Sequence, residues 1–299
     1  MHLRKGRLLV ILGPTSVGKT DLGLKLARKF NGELVSCDSR QVYKGLDIGT
    51  GKLPGSSWML DVSDPKDQYS VAEYVKDASK VINDILERKK LPIIVGGTGF
   101  YIKALLEGLP NLEIPIDLKL RKQLSNLTVK KLQAKLSNER LSNMNSSDMQ
   151  NPRRLIRAIE LKDSKQVKKN EIYNALKIGL TAPREILYQK SNKRVVDRIR
   201  QGMVKESKQL YKNGVTFKRM KQLGLEYGVL ADYLTGVIKS EKELINILQL
   251  KIQGYIKRQK TWFKKEKNII WFDITEKNYA QKVEKMIAKW YYQSYATEN

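Results

Sequence analysis

The segment that most constrains this chain is GPTSVGKT, residues 13–20, which directly follows the apolar run Leu8–Leu12. A glycine-rich loop of this spacing, placed after a buried strand and before a helix, is typical of the Walker A phosphate loop. Its backbone amides can surround phosphate oxygens, Lys19 adds a positive charge, and the Thr20 hydroxyl can bind Mg²⁺. We therefore predict phosphate binding by the whole loop: Gly13, Pro14, Thr15, Ser16, Val17, Gly18, Lys19 and Thr20.

Short apolar runs alternate with segments of helical periodicity as far as about residue 110. This alternation is typical of strand-helix-strand units around a parallel sheet. Ser70, followed three residues later by Glu73, predicts a capping box at the start of one helix. We predict an α/β fold: a P-loop NTPase-like parallel sheet flanked by helices, with a helical C-terminal part. The predicted strands are 8–12, 34–37, 92–95, 175–180 and 269–272, and the first helix is Thr20–Phe30.

The composition changes between residues 116 and 150 to Leu, Lys, Asn and Ser. The leucines there are sparse, so we expect a small helical insertion, or lid, without a core of its own. The predicted organisation is a catalytic core in two parts, 1–115 and 151–299, around an insertion at 116–150. The second part of the core carries the basic helices.

Positive charge dominates the chain, with 57 Lys and Arg against 31 Asp and Glu and a net charge of +26. Such an excess predicts a polyanionic partner. The apolar runs are about five residues long, far below the roughly 20 of a membrane span, and we expect no membrane association. The single Cys37 and the single His2 exclude an internal disulfide and a cysteine or histidine metal cluster. We expect a cytoplasmic protein.

A phosphate loop that hydrolyses or transfers phosphate also needs an acid at a strand end. The run Ile93–Val95 ends instead in Gly96-Gly-Thr-Gly99. Asp38, after the 34–37 strand, is the acid that remains at the carboxyl edge of the sheet, although it could also be a simple turn cap. The polar stretch 38–50 after it could read a base edge or could be an ordinary surface loop.

Basic residues recur in three further places. Six Lys and Arg between 257 and 267, with Trp262 and Phe263 among them, suit an RNA backbone. The alternative is a solvated helix face whose two aromatic side chains pack inward, and for the aromatics we favour it. Arg153, Arg154 and Arg157, and separately Arg194, could face phosphate or could flank buried apolar neighbours.

Taken together, the motifs resemble those of the bacterial tRNA isopentenyltransferases, the tRNA dimethylallyltransferase family. The resemblance runs in order along almost the whole chain: GPTSVGKT, DSRQVYKGLDIGTGK, DQYSVAEY, VGGTGFY, NPRRLIRAIE, QLGLEY and KRQKTWFKK. It implies transfer of a dimethylallyl group from dimethylallyl diphosphate to the exocyclic amine of the adenosine 3′ to the anticodon, with Mg²⁺ as cofactor. The partner is then the anticodon arm of tRNA, and we expect a monomer.

The resemblance also assigns roles. Asp38 accepts the proton of the adenine amine, Thr98 contacts the nucleotide or the diphosphate, and Arg194 helps to clamp the leaving group. Thr20 is the metal ligand. The expected tRNA contacts are Asp38, Ser39, Arg40, Gln41, Arg153, Arg154, Leu155, Ile156, Arg157, Lys257, Arg258 and Lys260. One departure is visible: Ser57 and Trp58 stand where the family usually has two histidines.

Three other functions remain open at this point. A small-molecule kinase would use ATP and would less often carry so high a positive charge. A GTPase-like RNA-binding module would bind RNA without forming a product. An adenylate isopentenyltransferase would act on free nucleotide, which has no need of a wide basic surface.

Overall fold

The computed structural model describes residues 6–109, 111–112, 114–162 and 173–293. The chain forms two compact units. One, which we call the sheet unit, combines Met1–Leu106 with Glu171–Asn299, and the other, the helical unit, is Glu107–Asn170.

A five-stranded sheet forms the centre of the sheet unit, in the order β2-β3-β1-β4-β5. All four strand pairs are parallel, and Leu9 of β1 lies opposite Ile93 on one side and Leu176 on the other. The predicted α/β fold with a parallel sheet is therefore confirmed. The strands are β1 (Arg7–Leu12), β2 (Gly32–Cys37), β3 (Leu91–Gly96), β4 (Asn174–Thr181) and β5 (Ile269–Asp273).

The strands are apolar because helices cover both faces of a parallel sheet. In β1, residues Leu8 to Ile11 are entirely buried. The helices of the sheet unit are α1 (Lys19–Lys29), α2 (Val71–Glu87), α3 (Gly99–Glu107, which ends at the first residue of the helical unit), α9 (Arg184–Arg200), α10 (Met203–Lys212), α11 (Phe217–Leu223), α12 (Leu225–Leu234), α13 (Glu241–Phe263) and α14 (Tyr279–Gln293). Those of the helical unit are α4 (Leu118–Leu124), α5 (Val129–Gln133), α6 (Asn138–Ser142), α7 (Ser146–Met149) and α8 (Pro152–Glu160).

The start of α2 matches the sequence prediction. Both halves of the capping box form: the Ser70 hydroxyl accepts the backbone N–H of Glu73, and the Glu73 carboxylate accepts that of Ser70. Two backbone donors that would otherwise lack partners are satisfied in this way.

The longest helix, α13, spans 23 residues and packs against α9 and α12. Its buried apolar residues recur every four positions, at Leu244, Leu248, Ile252 and Ile256, which places a single apolar stripe against the rest of the sheet unit. Across the described part of the chain, no helix is both long and apolar enough to cross a membrane.

The helical unit has a small core of its own, which corrects our expectation that the segment is too poor in apolar groups. The correction comes from α8, whose Leu155 and Ile159 complete the cluster that Leu124, Leu132 and Leu136 begin. Because α8 lies beyond residue 150, the compact unit is wider than the predicted insertion at 116–150.

Candidate active site

The phosphate loop lies between β1 and α1 and has an unusual backbone. Gly13 and Gly18 have φ values of +141° and +81°, and Ser16 adopts +71° without being glycine. Glycine is required at position 13 for a second reason, since a Cβ there would lie 2.3 Å from the carbonyl oxygen of Leu180. The loop is therefore shaped by its backbone, and apart from the N–H of Thr15, which Gln259 accepts, its amides can face a ligand.

Two cations lie at this loop. The Lys19 ammonium donates to the carbonyl oxygen of Pro14 at 2.7 Å, and the Arg194 guanidinium donates to the Thr15 hydroxyl. Burial lowers the pKa of Lys19 from 10.5 to about 7, with a smaller contribution from the charge of Arg194, while the charge of Asp38 opposes both. Burial likewise lowers the pKa of Arg194 to about 10, helped by Arg198. Both cations are partly desolvated and repel each other, so a bound polyanion would stabilise them.

The Ser16 hydroxyl provides a test of whether the loop suits phosphate. Its oxygen is buried and has no hydrogen-bond partner among the described residues. Buried hydroxyls normally have a partner, which here a phosphate oxygen would supply. The residues present thus fit a phosphate ligand.

A glycine segment takes the place of an acid at the end of β3. Gly96 and Gly97 follow the apolar part of the strand, and neither position has room for a side chain. A Cβ on Gly96 would lie 2.1 Å from the carbonyl oxygen of Cys37, and one on Gly97 would lie 2.3 Å from Nε2 of Gln259. The strand β3, which lies between the phosphate loop and Asp38, therefore has no side chains at its carboxyl end.

Asp38 and Thr98 follow neighbouring strands, β2 and β3, at the same edge of the sheet. One carboxylate oxygen of Asp38 accepts the backbone N–H of Arg40 at 2.8 Å, which is the turn-capping contact. The Thr98 hydroxyl accepts the backbone N–H of Ser39 at 3.1 Å. Asp38 also raises the pKa values of Lys19 and Arg194, so its charge acts on the phosphate loop across the width of β3. The capping contact uses only part of the carboxylate, which keeps free lone pairs.

The Gln41 amide is held on both sides. Its Oε1 accepts the Ser36 hydroxyl at 2.7 Å, and its Nε2 donates to the carbonyl oxygen of Thr50 at 3.4 Å. One N–H and one lone pair remain for another partner. Hydrogen bonds to Ser36 and Thr50 thus fix the Gln41 side chain within the loop that follows Asp38.

The basic end of α13 presents charge outward and aromatic rings inward. Lys257 and Arg258 are exposed, whereas Lys260 donates to the carbonyl oxygen of Ala182. Phe263 is buried and Trp262 packs against Phe100, as we favoured for the aromatics. Lysine and arginine side chains therefore form the charged part of this face.

The arginines of α8 belong to the helical unit and differ in their surroundings. Arg153 and Arg154 are exposed, and Arg154 forms an ion pair with Asp148. Arg157 instead donates to the carbonyl oxygens of Asn111 and Ile114 and pairs with Glu160, so it serves the packing of its own unit.

Leu155 was expected to contact tRNA, and this prediction is wrong for its side chain. Leu155 is entirely buried in the small core of the helical unit, with Ile156 packed beside it. A leucine at this position on α8 faces inward because it fills the space between the short helices.

Comparison with known proteins identifies the family. The family model described as IPP transferase matches residues 41–266, and one described as isopentenyl transferase matches residues 6–58. The chain belongs to the IPP transferase family. It is 40% identical to tRNA dimethylallyltransferase 2 of Treponema denticola, over 88% of this chain and 94% of that protein. It is 38% identical to the tRNA dimethylallyltransferase of Lactococcus lactis, over 94% and 97% of the two chains.

Solved structures agree with this IPP transferase assignment. The crystal structure of the tRNA isopentenylpyrophosphate transferase of Bacillus halodurans covers 99% of this chain and 100% of its own, with 33% identity and a TM-score of 0.73. A eukaryotic dimethylallyltransferase acting on tRNA covers 91% of this chain and 74% of its own, with 26% identity and a TM-score of 0.70.

Ser57 and Trp58, the departure noted in the sequence, differ in their surroundings. Ser57 lines the same cavity as Thr20 and Gln41. The backbone of Trp58 pairs alongside β2, since it donates to the carbonyl oxygen of Leu34 and accepts the N–H of Ser36. Its indole N–H donates to the Glu33 carboxylate at 2.7 Å. Glu33 is in turn bound by Arg88 and Lys90, and these contacts hold its pKa well below the usual range. Trp58 thus belongs to a network with Glu33, Arg88 and Lys90, and none of these contacts involves Asp38.

Sequence reasoning missed four residues of this region. Gln259 accepts the backbone N–H of Thr15 at 2.9 Å and donates to the carbonyl oxygen of Gly97 at 2.9 Å, and it thereby joins the phosphate loop to β3. Burial raises the pKa of Tyr255, one turn earlier on α13, and its interaction with Thr98 opposes that rise. Arg198 and Glu206 bind the loop that follows Asp38. No spacing in the sequence marks these contacts, because they connect elements far apart in the chain.

Proposed function

We propose that this protein transfers a dimethylallyl group from dimethylallyl diphosphate to the exocyclic amine of an adenosine in tRNA, the one 3′ to the anticodon, and releases diphosphate. The observation that carries the proposal is the convergence of Lys19, Arg194 and Asp38 at one sheet edge, in a chain of the IPP transferase family. A cationic phosphate loop faces the leaving group, and a carboxylate faces the nucleophile.

The departing diphosphate is stabilised by the phosphate loop. An adenine amine is a weak nucleophile, because its lone pair is delocalised into the ring, so the reaction depends on a good leaving group. As the bond from the allylic carbon to the diphosphate oxygen breaks, negative charge accumulates on the diphosphate. Lys19, Arg194, the loop amides and the Ser16 hydroxyl are arranged to stabilise that charge more strongly than the charge of the ground state.

Asp38 removes the proton that the alkylated nitrogen must lose. Its carboxylate still has free lone pairs after it has accepted the backbone N–H of Arg40. A positioned base typically contributes about 10²- to 10⁴-fold to the rate. Thr98, fixed by the N–H of Ser39, lies beside Asp38 and contacts the nucleotide.

A magnesium ion fits the donors present only as a site shared with the substrate. The described residues contain no group of three or more His, Cys, Asp or Glu side chains that could hold a metal by themselves. Mg²⁺ is commonly held by one or two protein oxygens together with substrate phosphates. Thr20, in the first turn of α1, would supply such an oxygen, and the ion would neutralise charge on the diphosphate.

Transfer RNA binds through the positive surface. The backbone of the anticodon arm contacts Lys257 and Arg258 on α13 and Arg153 and Arg154 on α8. The target base leaves its stack to reach Asp38, which is easier from a loop than from a duplex. The helical unit acts as the lid, and the protein works as a cytoplasmic monomer.

The test is transfer of label from dimethylallyl diphosphate to unmodified tRNA with Mg²⁺ and without ATP. We expect labelled tRNA with the wild type and at least about 100-fold slower transfer with Asp38→Ala. A matched control is Asp84→Ala, an exposed acid on α2 whose loss should not change the rate. Label entering free adenylate instead of tRNA would favour the adenylate isopentenyltransferase alternative, and transfer of the γ-phosphate of ATP would favour a kinase.

A further inference from the structure

The loop that follows Asp38 is held by a single carboxylate. Glu206 of α10 accepts three consecutive backbone N–H groups, from Asp47 at 3.0 Å, Ile48 at 2.6 Å and Gly49 at 3.1 Å. Bonds from backbone amides to an ionised acceptor are among the stronger hydrogen bonds in proteins. The turn at 47–49 is therefore fastened to α10, about 160 residues later in the chain.

Two further side chains complete this arrangement. The Tyr227 hydroxyl of α12 donates to Glu206 at 2.7 Å, and its ring lies so close to Gly49 that a Cβ there would be 2.5 Å from the hydroxyl oxygen. The buried Arg198 of α9 donates to the carbonyl oxygen of Gly49 at 2.7 Å. We call Glu206, Tyr227 and Arg198 the loop brace.

The loop brace is linked to the residues expected to meet the adenosine. The carbonyl oxygen of Thr50, one residue after the braced turn, accepts the Nε2 of Gln41. Lys52, with a side chain only 1% exposed, fixes the same loop from inside through the carbonyl oxygen of Tyr43 and the carboxylates of Asp47 and Asp61. The position of the Gln41 amide thus depends on where the turn at 47–49 is held.

The brace also shares a helix with the phosphate loop. Arg194 and Arg198 are four residues apart on α9, so they lie on the same face, one turn apart. Arg194 contacts Thr15 of the phosphate loop, whereas Arg198 contacts Gly49. The helix α9 therefore contacts the phosphate loop, which binds the dimethylallyl donor, and also the loop expected to meet the acceptor base.

We infer that Glu206 and Tyr227 are positioning residues for the acceptor base: they hold the Asp47–Gly49 turn, and through it Gln41, without taking part in diphosphate binding. This inference rests on the proposed function. It predicts that loosening the brace impairs the use of tRNA while the affinity for dimethylallyl diphosphate is kept.

The experiment compares Glu206→Gln, Tyr227→Phe and the double variant with the wild type. Glutamine replaces one acceptor oxygen by an N–H₂ group that opposes the backbone donors, so we expect kcat/KM for tRNA to fall about 10- to 100-fold. Tyr227→Phe keeps the ring and loses one bond, and we expect a fall of about 3- to 10-fold. The double variant should lose less than the product of the two, since both act on one contact. Glu276→Gln, at an exposed acid paired with Lys282, is the matched control.

Two more measurements separate positioning from general damage. The Kd for dimethylallyl diphosphate should stay within about twofold of wild type in both single variants. Hydrogen exchange should accelerate at the amides of Asp47, Ile48 and Gly49 and stay unchanged in β1. Unchanged exchange at 47–49, unchanged kcat/KM for tRNA, or a parallel loss of diphosphate affinity would each overturn the inference. A wild type that transfers no label to tRNA would refute the proposed function instead, while the exchange result would still report on the brace.

Discussion

The pKa of Lys19 leads to a quantitative prediction for substrate binding. Burial, supported by the charge of Arg194 and opposed by that of Asp38, brings this pKa down from 10.5 to about 7. The ammonium form is the one that attracts a diphosphate, and bound diphosphate will restore a higher pKa. Binding above pH 7 must therefore be accompanied by proton uptake at Lys19.

The magnitude follows from the titration. With a pKa of about 7, roughly half of Lys19 is protonated at pH 7 and roughly 3% at pH 8.5. The Kd for dimethylallyl diphosphate should therefore rise up to about 15-fold between these pH values, equivalent to ~1.6 kcal/mol. An ordinary lysine, with a pKa of 10.5, would leave the Kd almost unchanged over this range.

Isothermal titration calorimetry in buffers of different ionisation enthalpy measures both quantities. We expect uptake of about half a proton per ligand at pH 7 and nearly one at pH 8.5. Lys19→Met is the control, because it leaves the ionisation of the ligand itself unchanged: its binding should be weak, without the loss on raising the pH. Arg194→Gln should weaken binding and flatten the slope, since the second-largest cause of the low pKa is removed. If Lys19→Met keeps the wild-type slope, or if no proton is taken up at pH 8.5, the reasoning is refuted.

Four further predictions concern stability and tRNA binding. Lys19→Met should raise the Tm of the ligand-free protein near pH 7 by several degrees and lose this advantage towards pH 10. The reason is that the unfolded wild-type chain binds more protons than the folded one between about pH 7 and 10.5, so the wild type gains stability there as pH rises. An equal Tm of variant and wild type at pH 7 would contradict this prediction. Gln259→Ala should cost about 1–3 kcal/mol in denaturant unfolding and weaken diphosphate binding, because the Gly97 carbonyl is left buried without its donor; Gln249→Ala, also on α13, is its control. Lys257→Gln should weaken tRNA binding and reduce the slope of log K against log salt by about 1 with no effect on diphosphate affinity, whereas an unchanged slope would exclude a phosphate contact. Leu155→Ala should destabilise the helical unit by about 2–5 kcal/mol, measured by hydrogen exchange in α5 and α8, while β1 keeps its protection.

The elements that sequence reasoning predicted well are those fixed by local patterns. The buried strands, the capping box at Ser70 and the phosphate loop each depend on residues a few positions apart. Strand ends moved by one or two residues, as at β2, which begins at Gly32 and not at Leu34. Such shifts arise because pairing with a neighbouring strand continues beyond the apolar run.

The helical unit shows where local patterns fail. The leucines between 116 and 150 are too few for a core only if that segment is considered alone. Leu155 and Ile159 belong to α8, whose sequence is an arginine-rich motif. The arginines indicate a phosphate contact, and the apolar face of the helix is less evident from the sequence. Packing partners of this kind are not visible until the helices are placed together.

The contacts of Gln259 and Glu206 could not be predicted for a different reason. In the sequence, each of these residues is an ordinary polar side chain within a predicted helix. In the structure, each binds backbone groups more than 150 residues away. A backbone amide offers the same donor at every position, so no residue type in the loop reveals that it is bound. By contrast, Asp38 was identifiable because it follows a strand directly.

The bare end of β3 fixes the scale of the reaction site. Neighbouring strands lie about 4.8 Å apart, so the ends of β1 and β2, with β3 between them, are separated by about 10 Å. Gly96 and Gly97 place no side chain in this interval, and any larger residue would collide with Cys37 or Gln259. The gap between the phosphate loop and Asp38 is therefore one strand wide. Substitutions at either end can change the groups that face each other, but the spacing between the two ends is a dimension of the sheet itself.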